Sequence, residues 1–255
     1  MTGPDYLVYI IREGGLPRYL YKYTTAENCL RMLKDGTVYF ADYHSFNDPF
    51  ECKAVIDKSI NIEEWKQFFI KRQGMADVEA AMMADLFMKN PDNIVGGLGE
   101  ELLDTENKFG YLCLSAEYDS LLLWAHYADQ HRGCCIKLDL LSDPAAFWRI
   151  RKVEYSNDYP VTNYVKDQEG ALDVLFHKSK VWEYEQEYRV VRFEGIGPRP
   201  VVPGTVSAIY IGCKVGDREK QNIIQTAQGQ KQGVELFQAY TDDTSYKLVF
   251  KRITE

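Results

Sequence analysis

The stretch from Glu187 to Ile253 opens with EYRVVRF (Glu187–Phe193) and continues through SAIYI (Ser207–Ile211), ELFQA (Glu235–Ala239) and YKLVFKRI (Tyr246–Ile253). Each segment is short, rich in β-branched and aromatic residues and bounded by turn formers, so each reads as a strand. One helical interval, Arg218 to Gln228, lies among them. A parallel sheet needs a crossover helix after nearly every strand, and this stretch lacks that alternation. The expected fold class is therefore α+β: a mixed, mainly antiparallel sheet with flanking helices.

Working outward toward the N-terminus, Cys134 to Leu138, Tyr111 to Leu114 and Lys152 to Tyr155 read as further strands. A helix starting near Asp119 or Ser120 is expected to run to Gly133, and another to fill Glu169 to Lys178. The opening unit reads strand, helix, strand: Arg18 to Tyr23, then a helix capped by Thr25 whose Cys29, Leu30 and Leu33 share a face, ended by Gly36, then Thr37 to Ala41. Between them, Asn61 to about Leu103 has helical spacing, broken near Gly74 and Asn90-Pro91. We expect a helical insertion or cap at 61–105 within one domain spanning 1–255, since no repeat, low-complexity tract or linker marks a boundary.

The 255 residues are 45% hydrophobic and 13% aromatic, enough to bury a core, which excludes a disordered or fibrous chain. No apolar run approaches the ~20 residues of a membrane span, so a soluble protein without a membrane partner is expected. The net charge of −8 gives no overall attraction to a nucleic-acid backbone, although a local basic groove is compatible with it. Six cysteines without a CxxC pair sit mostly in apolar segments, as reduced thiols in a cytoplasm do.

Three segments carry more polar and aromatic residues than a scaffold needs. FNDPFE (Phe46–Glu51) is a turn with the carboxylates Asp48 and Glu51 three residues apart and Asn47 beside them; it reads either as a self-capped turn or as a rigid pocket wall. LWAHYADQHRG (Leu123–Gly133), if helical, places Trp124, Tyr127, Ala128 and His131 along one side, with His126 roughly 100° from Tyr127. His126 and His131 are five apart, the wrong spacing for two ligands on one helical metal site, and no metal is expected. KVWEYEQEYRVV (Lys180–Val191), if extended from Glu185, puts Glu185, Glu187, Arg189 and Val191 on one face and Tyr188 and Val190 on the other. That pattern is either a solvated edge with salt bridges or a carboxylate aimed into an aromatic cleft.

Together YKYTT, FNDPFE, LCLSAEYDSLLLWAHYADQHRG and KVWEYEQEYRV, ordered between about Tyr19 and Phe193, resemble a widespread bacterial domain-of-unknown-function family. That family is similar, more remotely, to the ADP-ribosyltransferase fold, including RNA 2′-phosphotransferase and DNA-modifying toxin branches, some of which act in phage defence. The resemblance implies NAD as a substrate, a nucleotide-like ligand, and a nucleic-acid, protein or phosphorylated small-molecule acceptor. It implies catalytic roles for Glu187, Glu185 and His131. Ser115 would hold the ribose, Tyr127 or Tyr43 would stack on nicotinamide, and Lys22 or Arg132 would contact phosphate. Asn47, Asp48, Glu51, His126 and Arg189 would line the substrate site. Two other classes stay open: a non-catalytic ligand-binding or sensing module, and a metal-dependent hydrolase using Asp48, Glu51, His126 and Glu187.

Overall fold

Alternating apolar positions turn the strand segments into an eight-stranded sheet in the computed structural model, which describes residues 1–106, 108–167 and 170–254. The chain divides into two compact units, one of residues 1–41, 110–152 and 183–255, the other of residues 42–109 and 153–182. In chain order the first unit begins with α1 (Gly3–Arg12), β1 (Tyr19–Thr24), α2 (Ala26–Asp35) and β2 (Thr37–Phe40). The second contributes β3 (Val55–Ile56), α3 (Ile62–Gln73), α4 (Asp77–Phe87) and α5 (Pro91–Glu106). Back in the first unit come β4 (Gly110–Ser115), α6 (Leu121–Tyr127), β5 (Cys134–Asp139), α7 (Pro144–Phe147) and β6 (Ile150–Lys152). The second adds β7 (Glu154–Ser156), β8 (Val161–Thr162) and β9 (His177–Ser179). The first closes with β10 (Glu187–Arg192), β11 (Gly197–Pro200), β12 (Val206–Ile211), α8 (Asp217–Gln228), β13 (Glu235–Thr241) and β14 (Leu248–Arg252).

The sheet of the first unit runs β14-β13-β12-β5-β1-β4-β10-β6. Its neighbours are antiparallel except β12 and β13, which are parallel and joined through α8, so the α+β class holds with a mixed, mainly antiparallel sheet. Period two sorts the strands into two faces. One face, with Leu20, Leu114, Ile136, Val190 and Ile209, packs with Leu7 of α1, Leu33 of α2 and Ile223 of α8 in the main core. The other carries Tyr23, Cys135, Ala208 and Tyr210 and packs with Leu123 and Trp124 of α6. Thr25 caps α2 by accepting from the Asn28 N–H at 3.1 Å, and Gly36 ends it at φ 61°, a left-handed position that glycine occupies without strain.

In the second unit α3 and α4 meet around Trp65, Phe68, Phe69, Ala80 and Ala84, with Val95 of α5 in the same cluster. The breaks fall where the sequence puts them: Gly74 ends α3 at φ 65°, and Pro91 opens α5.

Four expectations are corrected. The strand expected over Lys152–Tyr155 breaks at Val153, with Ile150–Lys152 pairing with β10 and Glu154–Ser156 pairing with β9 in the second unit. The helix expected to reach Gly133 stops at Tyr127, because Asp129, Gln130 and His131 take φ of 46°, 54° and 70° and lead the chain out of the helix. This tight turn lets Gly133 approach the Thr24 carbonyl so closely that a Cβ would stand 2.1 Å from it. The helix expected over 169–178 is instead a 3-10 segment, Gly170–Phe176, followed by β9; Glu169 lies outside the described residues. Finally, Glu185 does not belong to the strand. Lys180–Glu185 is a 3-10 turn, and Gln186 at φ 43° breaks the period before β10 begins at Glu187.

Candidate functional site

In the first unit Ser115, Tyr127, Glu185, Glu187 and Arg189 gather on the α6 side of the sheet. Ser115 ends β4 and stands directly opposite Tyr21 of β1 and Glu187 of β10, so the three share one row across neighbouring strands. Ser115 Oγ donates to the Glu185 carbonyl at 2.6 Å and accepts from the Glu117 N–H at 3.0 Å. It thereby ties the end of β4 to the turn that carries Glu185.

Two carboxylates are held at this place in different ways. Glu187 accepts from Arg189 Nε at 2.9 Å and from Nη2 at 3.1 Å, a two-pronged pair along one strand face in which Arg189 is fully buried and Glu187 is 4% exposed. Glu185 Oε1 accepts from the Tyr127 hydroxyl at 2.6 Å, a short bond of the charge-assisted kind. Cys113, opposite Arg189 on β4, has its thiol pushed well up by burial and by the nearby Glu187 carboxylate. The expected face division holds from Glu187 onward: Glu187 and Arg189 lie on one side of β10, while Tyr188 and Val190 pack with the main core.

Aromatic rings continue the same face. Tyr21 lies 5.3 Å from Tyr118 and 6.1 Å from Tyr210, and Tyr210 stacks 5.0 Å from Phe237. Burial raises the Tyr21 hydroxyl to about 12, so it remains a neutral donor. The sequence reading missed Tyr21, Tyr118 and Tyr210 because only the strand register and the path of the connection from β4 to α6 bring them together.

The remaining first-unit candidates have structural partners. Lys22 alternates to the other side from Tyr21 and donates to the Cys113 carbonyl at 3.2 Å, where β1 and β4 keep a single registered pair. Arg132 pairs with Asp129 at 3.0 Å on the surface. The His131 ring lies parallel to Trp124 at 6.3 Å, its Nδ1 buried without a hydrogen-bond partner, and burial followed by the charge of Lys214 holds its pKa below the ordinary 6.5. His126 sits edge-on to Tyr127 at 6.2 Å.

Tyr43, Asn47, Asp48 and Glu51 belong to the second unit. Tyr43 lies in a 3-10 turn with its ring 4.0 Å from His44. Asp48 caps its own turn, accepting from the Phe50 N–H at 2.9 Å, and also accepts from Trp182 Nε1 at 2.6 Å. Glu51 forms a buried ion pair with Lys178 at 3.2 Å, and the Lys178 ammonium lies 5.1 Å from the Trp182 ring. Asn47, Asp48, Phe50, Tyr159 and Trp182 line a cleft of about 590 Å³, a volume typical of small-ligand sites. FNDPFE is thus at once a self-capped turn and a pocket wall. Among the described residues no group of three or more His, Cys, Asp or Glu side chains is arranged to hold a metal ion, and no helix is long and apolar enough to cross a membrane.

Residues 123–190 match the family described as protein of unknown function DUF2971. The matched segment contains Tyr127, His131, Glu185, Glu187 and Arg189, together with Lys178 and Trp182. It is narrower than the Tyr19–Phe193 span of the four motifs, and YKYTT and FNDPFE lie outside it. No curated protein and no solved structure matches the chain.

Proposed function

We propose that the first unit is a transferase of the ADP-ribosyltransferase type that breaks the nicotinamide–ribose bond of NAD and passes the remaining group to an acceptor. What supports this reading is the strand order β1-β4-β10. Three segments far apart in sequence become neighbours, with Ser115 opposite both Tyr21 and Glu187. The bond breaks with its electron pair going to nicotinamide, and positive charge develops on the ribose. A carboxylate fixed nearby stabilises that charge, and Glu187 is the group assigned to it. Glu185, steadied by Tyr127, orients the acceptor nucleophile, which attacks the ribose carbon and gives up its proton to the Glu185 carboxylate. The rings of Tyr21 and Tyr118 offer a stacking surface for nicotinamide. Ser115 supports the ribose through the same turn. The acceptor class is a nucleic acid, a protein or a phosphorylated small molecule.

One observation favours a second reading, a non-catalytic binding module: the charge of Glu187 is already matched inside the protein by Arg189. The two separate on nicotinamide release from NAD by the wild type, with and without cell extract as acceptor source. Glu187→Gln should lower turnover by about 10² to 10³. Because the substitution leaves Arg189 buried without its counter-charge, rates are compared per folded molecule at a temperature below the variant's melting transition. Glu185→Gln, which leaves the Glu187–Arg189 pair intact, serves as the second variant. Saturable NAD binding without release under any condition would favour the module, and neither binding nor release would defeat the transferase reading.

A further inference from the structure

Arg149, Arg192 and Arg199 line one cleft of about 280 Å³ in the first unit, beside Phe40, Trp148 and Glu194. Arg149 stacks 4.2 Å from the Trp148 ring and 4.3 Å from the Phe193 ring, and its Nη1 donates to Glu194 at 3.0 Å. That guanidinium is both packed and neutralised. The other two differ. Arg192 at the end of β10 donates to the Pro198 carbonyl at 3.4 Å, and Arg199 of β11 donates to the Ala145 carbonyl at 2.9 Å. Neither forms an ion pair at contact distance with a carboxylate among the described residues, although Glu194 feels the charge of Arg192 as well as that of Arg149, and both arginines are half-buried. A carbonyl orients a guanidinium without cancelling its charge, so two positive charges in fixed forks face one small cleft of a chain whose net charge is −8.

We propose that this cleft binds a small phosphomonoester, its phosphoryl group held between Arg192 and Arg199. Charge and size select the ligand. A phosphomonoester carries about −1.5 to −2 near pH 7 and matches the excess of two cations that the three arginines leave over Glu194 in the lining. A carboxylate would leave one charge of that excess unmatched. A long polyanion would meet the negative field of the whole chain. Guanidinium forks also suit the oxygens of a phosphoryl group bidentately. The site shares no residue with the Ser115, Glu185 and Glu187 row and does not depend on the NAD reading.

Calorimetric titration of the full chain at low salt tests it, with inorganic phosphate and AMP as probes and adenosine and acetate as controls. One saturable site for AMP or phosphate is expected, with neither control binding. Arg192→Gln/Arg199→Gln should weaken it about tenfold or more, the order expected for losing charged hydrogen bonds. Circular dichroism and the two single variants check that loss of binding is not loss of fold. Unchanged affinity in the folded double variant, phosphate binding no better than acetate, or binding confined to an oligonucleotide with a steep salt dependence would each overturn the proposal. Nicotinamide release is followed in the wild type under the same conditions: release without phosphate binding sinks this site alone, and phosphate binding without release sinks the transferase reading alone.

Discussion

Two buried ion pairs, Glu187–Arg189 in the first unit and Glu51–Lys178 in the second, use the same chemistry and reach it by opposite routes. The first joins residues two apart on one strand, where period two alone puts both side chains on one face. The second joins a turn of the FNDPFE segment to β9, two segments that meet only through tertiary structure. Each pair removes two charges from water, a cost that the mutual attraction repays only while both partners stay in place. A local pair of this kind is visible in a sequence. A distant one is not.

Removing one partner tests the comparison most severely. Arg189→Leu should destabilise the protein by about 3–5 kcal/mol, because the two-pronged guanidinium is fully buried and Glu187 would be left with an uncompensated charge. Lys178→Met should approach the lower end of the same range, about 3 kcal/mol, since an ammonium meets Glu51 as a point charge at 3.2 Å rather than through a two-pronged guanidinium fork. Denaturant unfolding measures both. Combining Glu51→Leu with Lys178→Met should recover part of the loss in a double-mutant cycle, whereas purely additive costs would mean that the two charges do not depend on each other.

Tyr127→Phe is the next smaller test. It removes the hydroxyl donor from the buried Glu185 carboxylate and should cost about 1.5–3 kcal/mol. Transfer to the acceptor should slow in parallel, with NAD binding kept, if Glu185 orients the acceptor, while a stability loss alone would reduce the contact to scaffolding.

The smallest expected effect belongs to His131, whose folded-state pKa is depressed by burial and by Lys214. The unfolded chain then binds the proton more readily, so stability rises with pH in this window. The contribution is present above the ordinary 6.5 and is lost as pH falls below it toward the lower folded value. Melting temperatures of wild type and His131→Gln from pH 5 to 8 should converge at the acidic end. A constant difference across that range would remove His131 from the titrating groups.

Seven of the eight strands of the main sheet, all but β6, the caps at Thr25 and Ser120, the helix breaks at Gly74 and Pro91, and the shared face of Glu187 and Arg189 were legible in the sequence. They depend on local spacing, and local spacing is what backbone periodicity and capping obey. The turn from Asp129 to His131 was not, because a helical pattern there is ended by the close approach of Gly133 to Thr24, a contact between distant segments. Gln186 hid the exit of Glu185 from the strand in the same way. The sequence by itself determined the α+β class and the residues with chemical potential. Only the tertiary structure decided that Tyr21 and Ser115 share a row with Glu187, that Lys178 answers Glu51, and that Arg192 and Arg199 face one cleft. Strand register and the pairing of remote charges are chosen by packing over the whole sheet or unit, and no local pattern encodes them.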